Sequence, residues 1–147
     1  MNSYMNKQRK TDYEEKPIHK FDTSSLSETS YVDIAEKVLN NHKENRSAIT
    51  TSQIRNLLDL LNGLRERLRT ERVKELSPDM MSQVQYIKLR FVYAAGRDKE
   101  SSGVKDFINR SGLIECLDTV KNSPVQFELI CKYMEALVAY HKYYIDK

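Results

Sequence analysis

Tyrosine and arginine alternate along one apolar stretch of the chain, the thirteen residues QYIKLRFVYAAGR. The alternating residues recur at helical spacing and so share one side of a helix: Tyr86, Arg90, Tyr93 and Arg97. Arginine pairs with phosphate or stacks on bases, and tyrosine offers a flat stacking face. Both can instead cover neighbouring helices with their apolar parts. This stripe is a candidate contact for single-stranded nucleic acid, with packing as the alternative.

Other chemistry is hard to place in the sequence. The three histidines are scattered, no CxxC or HxxxH spacing occurs, and the four glycines form no phosphate-binding loop. His141 lies on an apolar stripe, as a buried core histidine does. Cys116 and Cys131 lie on helix faces with leucine and isoleucine, without a base nearby in the pattern. We therefore expect no metal, no cofactor and no enzymatic activity.

Length and charge favour one domain with a polar tail. A chain of 147 residues can bury a core without disulfides. Residues 1–30 are serine-rich and lack apolar periodicity, so we expect a disordered tail there and a single domain over residues 31–147. We find neither a signal-peptide core nor a stretch long enough to span a membrane, and we expect a cytoplasmic protein.

The periodic segments all indicate helices. TTSQ at 50–53 and SPVQ at 123–126 match capping boxes, SPDM at 77–80 is a second serine–proline helix start, and Ser30 can cap an earlier helix. Gly63 inside one helix could mark a close helix crossing. We predict an all-α fold: a compact bundle of about five to six helices.

The helix containing the stripe also has a core face, which we assign to Met81, Val84, Phe91, Val92 and Ala95. Lys88 falls in the middle of that face, so it must snorkel, pair or reach out of a groove.

The last helix has two apolar stripes. One stripe is enough to dock a helix on a small bundle, so the second, which is rich in tyrosine, needs another cover. Either this helix is central in the core, or the second stripe meets another subunit, since tyrosine is favoured at interfaces. The candidate interface residues are Tyr133, Tyr140 and Tyr143.

Further cations could extend a basic surface: Arg55, Lys105 and Arg110. The run RERLRTERVKE at 65–75 has five cations and three anions. We interpret it as a solvated helix end rather than a binding site.

Four segments occur in an order that resembles a known family: ITTSQIRNLLDLLN, QYIKLRFVYAAGR, VKDFINRSGLIECLD and CKYMEALVAYHKYY. They are similar to the small α-helical subunit of the Csm complex, the type III-A CRISPR effector, over about residue 49 to the end. The resemblance implies a noncatalytic bundle whose copies stack beside the crRNA-bound backbone subunits. The implied partners are the backbone, large and end subunits of the complex, other copies of the chain, crRNA and target RNA, with no membrane.

The same resemblance implies which cations contact RNA phosphate: Arg55 from TTSQIR, Lys88 and Arg90 from YIKLR, Arg97 from AAGR, and also Lys105, Arg110 and Lys132. Each could instead form an ion pair within the protein, for example Arg55 with Asp59, or Lys132 with Glu128 or Glu135. The expected function is therefore a CRISPR interference subunit in antiviral defence. The alternatives are a structural adaptor that bridges subunits without touching RNA, and a helical enzyme with an unrecognised site.

Overall fold

A computed structural model describes residues 21–44, 47–97 and 103–145 of the chain. Its helices are α1 (Tyr31–His42), α2 (Thr51–Glu71), α3 (Pro78–Gly96), α4 (Val104–Ser111), α5 (Leu113–Asp118) and α6 (Pro124–Tyr144), preceded by a 3₁₀ turn at Thr23–Ser25. No strand occurs in these ranges. The predicted all-α fold is confirmed.

The helix starts largely follow the predicted capping. Thr50 and Gln53 form both halves of a capping box at α2, and the Ser77 hydroxyl accepts a hydrogen bond from the Met80 N–H at α3. At α6 the Ser123 hydroxyl accepts from the Gln126 N–H. The second half of that predicted box is wrong, because the Gln126 amide instead donates to the Thr119 hydroxyl at 3.0 Å.

Long-range contacts of charged side chains show how the long helices run. Glu28 pairs with Lys132 just before α1 begins, and α1 ends where Lys43 lies over the ring of Tyr144, so α1 and α6 are parallel. Arg67 of α2 pairs with Asp79 at the start of α3, so these two helices are antiparallel. One end of the bundle, the first end, therefore holds the start of α2 and the ends of α1, α3 and α6. The second end holds the end of α2 and the starts of α3 and α6.

Helix α6 is the central helix of the core. It packs against α1, α2 and α5, and Tyr133 at its middle is fully buried, with its hydroxyl donating to the Ser111 carbonyl at 2.7 Å. Because Tyr133 does not reach the surface of the described chain, its assignment to a subunit interface is corrected to a core position. Leu129 of the same stripe is buried as well.

The bundle's structure begins before residue 31. Leu26 is buried, and the ring of Phe21 stacks on Tyr133 with 6.1 Å between centroids. Gly112, at φ +66°, lies against Phe21 so closely that a Cβ there would be 2.2 Å from the ring. Residues 21–30, which we assigned to the polar tail, thus pack on the bundle, whereas residues 1–20 and most of the predicted loop after Arg97 lie outside the described residues.

Candidate nucleic-acid interface

Helix α3 turns one side to the core and the opposite side outward. Its buried residues are Met80, Val84, Ile87, Phe91 and Ala95. Val92, predicted in that core face, is instead 45 % exposed, because the buried side is centred one helical position away. Helix α3 therefore keeps a broad outer face.

The predicted tyrosine–arginine stripe lies on that outer face. Tyr86 is 58 % and Tyr93 60 % exposed, so neither ring is used to cover a neighbouring helix. The Arg97 guanidinium lies 5.8 Å from the centroid of the Tyr93 ring, in cation–π range. Rings and guanidinium together form an exposed surface with flat faces and positive charge.

Three of the predicted RNA-contacting cations are exposed and have no carboxylate partner within the described ranges: Arg55, Arg90 and Arg97. The alternative pair of Arg55 with Asp59 does not form. Arg90 lies seven residues after Gln83, which contacts Arg67 of α2, so Arg90 faces the side of α3 that α2 occupies. Arg55 is the fifth residue of α2 and Arg97 directly follows α3, so both lie toward the first end of the bundle.

Three other predicted cations are paired on the surface. Lys88 reaches out of the core face to Asp118 at 2.6 Å. Arg110 pairs with Asp106 at 2.8 Å, and Lys132 pairs with Glu28 rather than with the expected Glu128 or Glu135. Each of these side chains keeps about a third of its surface exposed. Such pairs are weak, on the order of 0–1 kcal/mol, so a phosphate could compete for the cation. Lys105 is exposed in the first turn of α4.

Arg65, the most buried arginine of the described chain, is not among the residues predicted from the sequence. It is 8 % exposed and makes a two-pronged contact with Glu128, with 2.8 Å from Nη2 to Oε1, and a further ion pair with Glu135. The hydrogen bond from Arg65 lowers the pKa of the Glu128 carboxyl. Arg65 ties α2 to α6 and is not available to a ligand. The signal in the sequence is its place on the apolar stripe of α2, four residues after Leu61.

A buried histidine–aspartate pair has the composition of a catalytic dyad but a structural role. The His42 Nδ1 atom lies 2.7 Å from Asp106, and its Nε2 accepts the Ile49 N–H at 2.9 Å. His141 Nε2 donates to the Ile49 carbonyl, as expected for a core histidine. Both ring nitrogens of His42 are engaged, so His42 has no nitrogen left to take a proton from a substrate. The two histidines thus bind the backbone N–H and the backbone carbonyl of Ile49, in the segment between α1 and α2.

The two cysteines are buried and unreactive in this fold. Burial raises the pKa of the Cys116 thiol to about 12, with a further contribution from Glu115. Burial likewise raises the pKa of Cys131 to about 12. A thiol with such a pKa is almost entirely protonated at neutral pH and is a poor nucleophile.

The remaining predicted interface tyrosines lie at the first end. Tyr143 is 77 % exposed, and Tyr140 is half-buried and stacked on Tyr144 with 6.1 Å between centroids. A hydrogen bond with Glu36 raises the pKa of Tyr140. An exposed ring on a packed aromatic base is the type of surface that protein interfaces use.

Comparison with known proteins identifies the family. A family model described as Csm2 Type III-A matches residues 26–147. The CRISPR system Cms protein Csm2 of Streptococcus thermophilus is 39 % identical over 125 residues, covering 83 % of this chain and 97 % of that protein. The proteins of the same name from Enterococcus italicus and Mycobacterium tuberculosis are 37 % and 35 % identical, over 67 % and 81 % of this chain and 69 % and 94 % of their own lengths.

The chain belongs to the Csm2 type III-A family. The resemblance found in the sequence is thereby confirmed, and the chain is a small subunit of a type III-A CRISPR complex. Within the part of the chain that the structure describes, no helix is both long and apolar enough to cross a membrane.

Proposed function

We propose that this subunit is noncatalytic and binds RNA in CRISPR interference against foreign nucleic acid. Copies stack as a filament beside the crRNA-bound backbone in the cytoplasm. They contact the target RNA and the guide–target duplex through phosphate. The contacts come from Arg55, Arg90 and Arg97, with Lys105 beside them. Tyr140 and Tyr143 face a protein neighbour in the assembly.

One observation carries this proposal: the contrast between the two groups of arginines. The arginines Arg65, Arg67 and Arg69, on the other half of α2, are all in ion pairs. Arg55, Arg90 and Arg97 are exposed and lack carboxylate partners among the described residues. Arg90 and Arg97 lie on the same stripe of α3 as the exposed Tyr86 and Tyr93. A cation that is held in no internal pair can bind phosphate without first breaking one.

The magnitude favours a collective mechanism. Each phosphate contact to a single strand contributes about 0.7 to the slope of log affinity against log salt, so three contacts give a slope of about −2. One copy alone would therefore bind modestly. Several copies held together by protein contacts bind one strand at high effective concentration and so much more tightly. The formal net charge of only +3 is compatible with that mechanism.

The adaptor alternative is favoured by a different observation. Leu89 is 60 % exposed and Val92 45 % exposed on the same outer face of α3. Apolar side chains in water next to tyrosine are typical of protein contacts. In this alternative α3 meets another subunit and its arginines contact protein.

The test uses the assembled complex with its guide RNA. Arg90→Gln combined with Arg97→Gln removes two charges from α3, and Lys37→Gln combined with Lys142→Gln removes two exposed charges from α1 and α6 as the matched control. We expect the α3 variant to weaken target-RNA binding by at least about 25-fold at 0.1 M salt, since removing one arginine–phosphate pair costs about 5-fold there and each copy loses two pairs. The control should bind as the unmodified complex does.

Crosslinking of the same complex to its target distinguishes the two functions. RNA adducts on peptides containing Arg90 or Arg97 support the RNA-binding role. If the α3 variant fails to assemble, or assembles and keeps full affinity, the adaptor is the better description.

A further inference from the structure

Two cations occupy backbone conformations that disfavour them. Arg72 and Lys121 both have φ +51°, and they are the non-glycine residues with positive φ in the described ranges. Arg72 follows α2 as its C-terminal cap, with its N–H donating to the Leu68 carbonyl at 2.9 Å. Helices that end in this left-handed conformation usually place glycine there, because a Cβ is crowded. At both positions the chain therefore has a residue with a Cβ, although glycine would adopt the same backbone conformation at a lower steric cost.

The fold brings the two loops together, although Arg72 and Lys121 are 49 positions apart in sequence. The loop after α2 and the loop before α6 are joined by a hydrogen bond from the Leu76 N–H to the Asn122 carbonyl, at 2.9 Å. Leu76 is buried and anchors this junction to the core. Arg72 and Lys121 thus lie on two adjoining loops at the second end of the bundle.

The junction of these two loops is positively charged, and its cations are unpaired among the described residues. The side chains of Arg72, Lys74 and Lys121 are exposed, and no hydrogen bond or ion pair to a described residue engages them. The neighbouring acids Glu71 and Asp118 are already paired, with Arg67 and Lys88 respectively. The remaining acids are Glu75, in the loop after α2, and Glu115, which lines the same surface recess as Lys121. Within the described residues, three unpaired cations therefore outnumber two unpaired carboxylates at this junction.

We propose that Arg72 and Lys121, with Lys74 beside them, form a second phosphate-binding site for the RNA strand. This inference rests on the proposed function and extends it to the opposite end of the bundle. Arg72 is seventeen positions after Arg55, which is about 25 Å along the axis of α2. A subunit with cations at both ends holds a strand at two points. In a head-to-tail stack, the second end of one copy continues the track from the first end of the next.

Charge at a helix end offers a competing explanation. A cation just after a helix favours the negative end of the helix dipole, so Arg72 could be retained for stability alone. The two explanations differ in what glycine does. If stability is the reason, Arg72→Gly lowers the melting temperature. If Arg72 is present for RNA binding, Arg72→Gly removes the backbone strain at positive φ and raises the melting temperature, while the affinity for RNA falls.

The experiment compares two double variants in the assembled complex. Arg72→Gly with Lys121→Gly removes charge and backbone strain together, and Arg72→Gln with Lys121→Gln removes charge alone. We expect both to weaken target-RNA binding, by at least about 25-fold at 0.1 M salt, and to reduce the salt slope by about 1.4 for each copy that holds the strand. The glycine pair alone should melt at a higher temperature than the unmodified subunit.

The outcomes separate this inference from the proposed function. If the Arg90/Arg97 variant loses binding while both second-end variants keep it, the second site is wrong and the first stands. If only the second-end variants lose binding, this inference stands and the placement on α3 is wrong. A lower melting temperature for the glycine pair, with unchanged binding, would assign these cations to helix-end stability and overturn the inference.

Discussion

A charged residue on the apolar stripe of a helix needs a partner of opposite charge, and the fold supplies one in two cases. Lys88 falls on the core face of α3, and the fold supplies Asp118, thirty residues further along the chain. Arg65 falls on the apolar stripe of α2 and is answered by Glu128 and Glu135 of α6. The need for a partner can be predicted from local sequence, since it follows from helical spacing. The identity of the partner cannot, because it depends on which helices meet and in which register.

Arg65 should matter more to stability than any arginine that shares its helix end. We expect Arg65→Ala to lower the free energy of unfolding by about 1–3 kcal/mol, because Glu135 loses its ion pair and Glu128 keeps only the longer one to Arg69, at 3.7 Å. Arg69→Ala, at a side chain that is 54 % exposed, should change it by less than about 0.5 kcal/mol. Urea unfolding of the two variants measures the difference. Equal effects would mean that Arg65 is an ordinary surface pair.

The same ion pair predicts a loss of stability in acid. Arg65 holds the pKa of Glu128 below its ordinary value, so the unfolded chain binds a proton there more readily than the folded chain. Stability from this pair is complete above the ordinary carboxyl pKa and is lost as pH falls through the lowered one. Glu128→Gln should be less stable at neutral pH, and its free energy of unfolding should change less between about pH 5 and pH 2. Unfolding curves across that range, with Glu66→Gln as the exposed control, test this sign.

At the scale of elements, helix starts are predictable where their chemistry is local. The Thr50–Gln53 box and the Ser77–Pro78 start depend on residues within four positions, so the sequence contains all the information they need. The Gln126 amide, predicted to turn back to its own cap, instead bonds Thr119, seven residues earlier. That competitor becomes available only because α5 ends beside the start of α6.

Segments with few apolar residues are harder to predict. Residues 21–30 have a polar composition, yet Phe21 and Leu26 are enough to fix them on the bundle, because Gly112 leaves room for the Phe21 ring. The candidate cations can all be named from the sequence. Which of them are paired cannot be, since Lys132 meets Glu28, 104 positions away.

Substitution by alanine should have opposite effects on stability at Gly63 of α2 and at Gly112 between α4 and α5. A Cβ at Gly63 would meet nothing closer than the Gln83 amide at 3.9 Å, so the suspected close helix crossing is absent. Gly63→Ala should therefore raise the free energy of unfolding by about 0.5–1 kcal/mol through helix propensity. Gly112→Ala should lower it by more than that, because of its positive φ and the contact with Phe21. Thermal melts of the two variants check this, and a destabilising Gly63→Ala would contradict it.

At the scale of the whole molecule, the parallel pairing of α1 with α6 gives the bundle two distinct ends. The first end carries Arg55, Arg97 and the exposed ring of Tyr143, and the second carries Arg72 and Lys121. A subunit with different surfaces at its two ends is compatible with the proposed head-to-tail contact, which gives an open filament when the rotation between copies does not close a ring. Charge at both ends then becomes a track only when copies are lined up.

The isolated subunit should accordingly be a poor RNA binder and the assembly a good one. With three contacts at Arg55, Arg90 and Arg97, and two more where Arg72 and Lys121 also hold the strand, we expect weak binding of single-stranded RNA and a salt slope of about −2 to −3.5. Binding should depend little on base sequence, because phosphate carries no sequence information. The assembled complex should bind far more tightly, since each further copy acts on a strand that is already held. Titration of labelled oligonucleotides of unrelated sequence into the free subunit and into the complex, over a salt series, measures both. A free subunit that binds as tightly as the complex, or prefers one sequence strongly, would contradict a mechanism in which weak phosphate contacts gain strength by repetition.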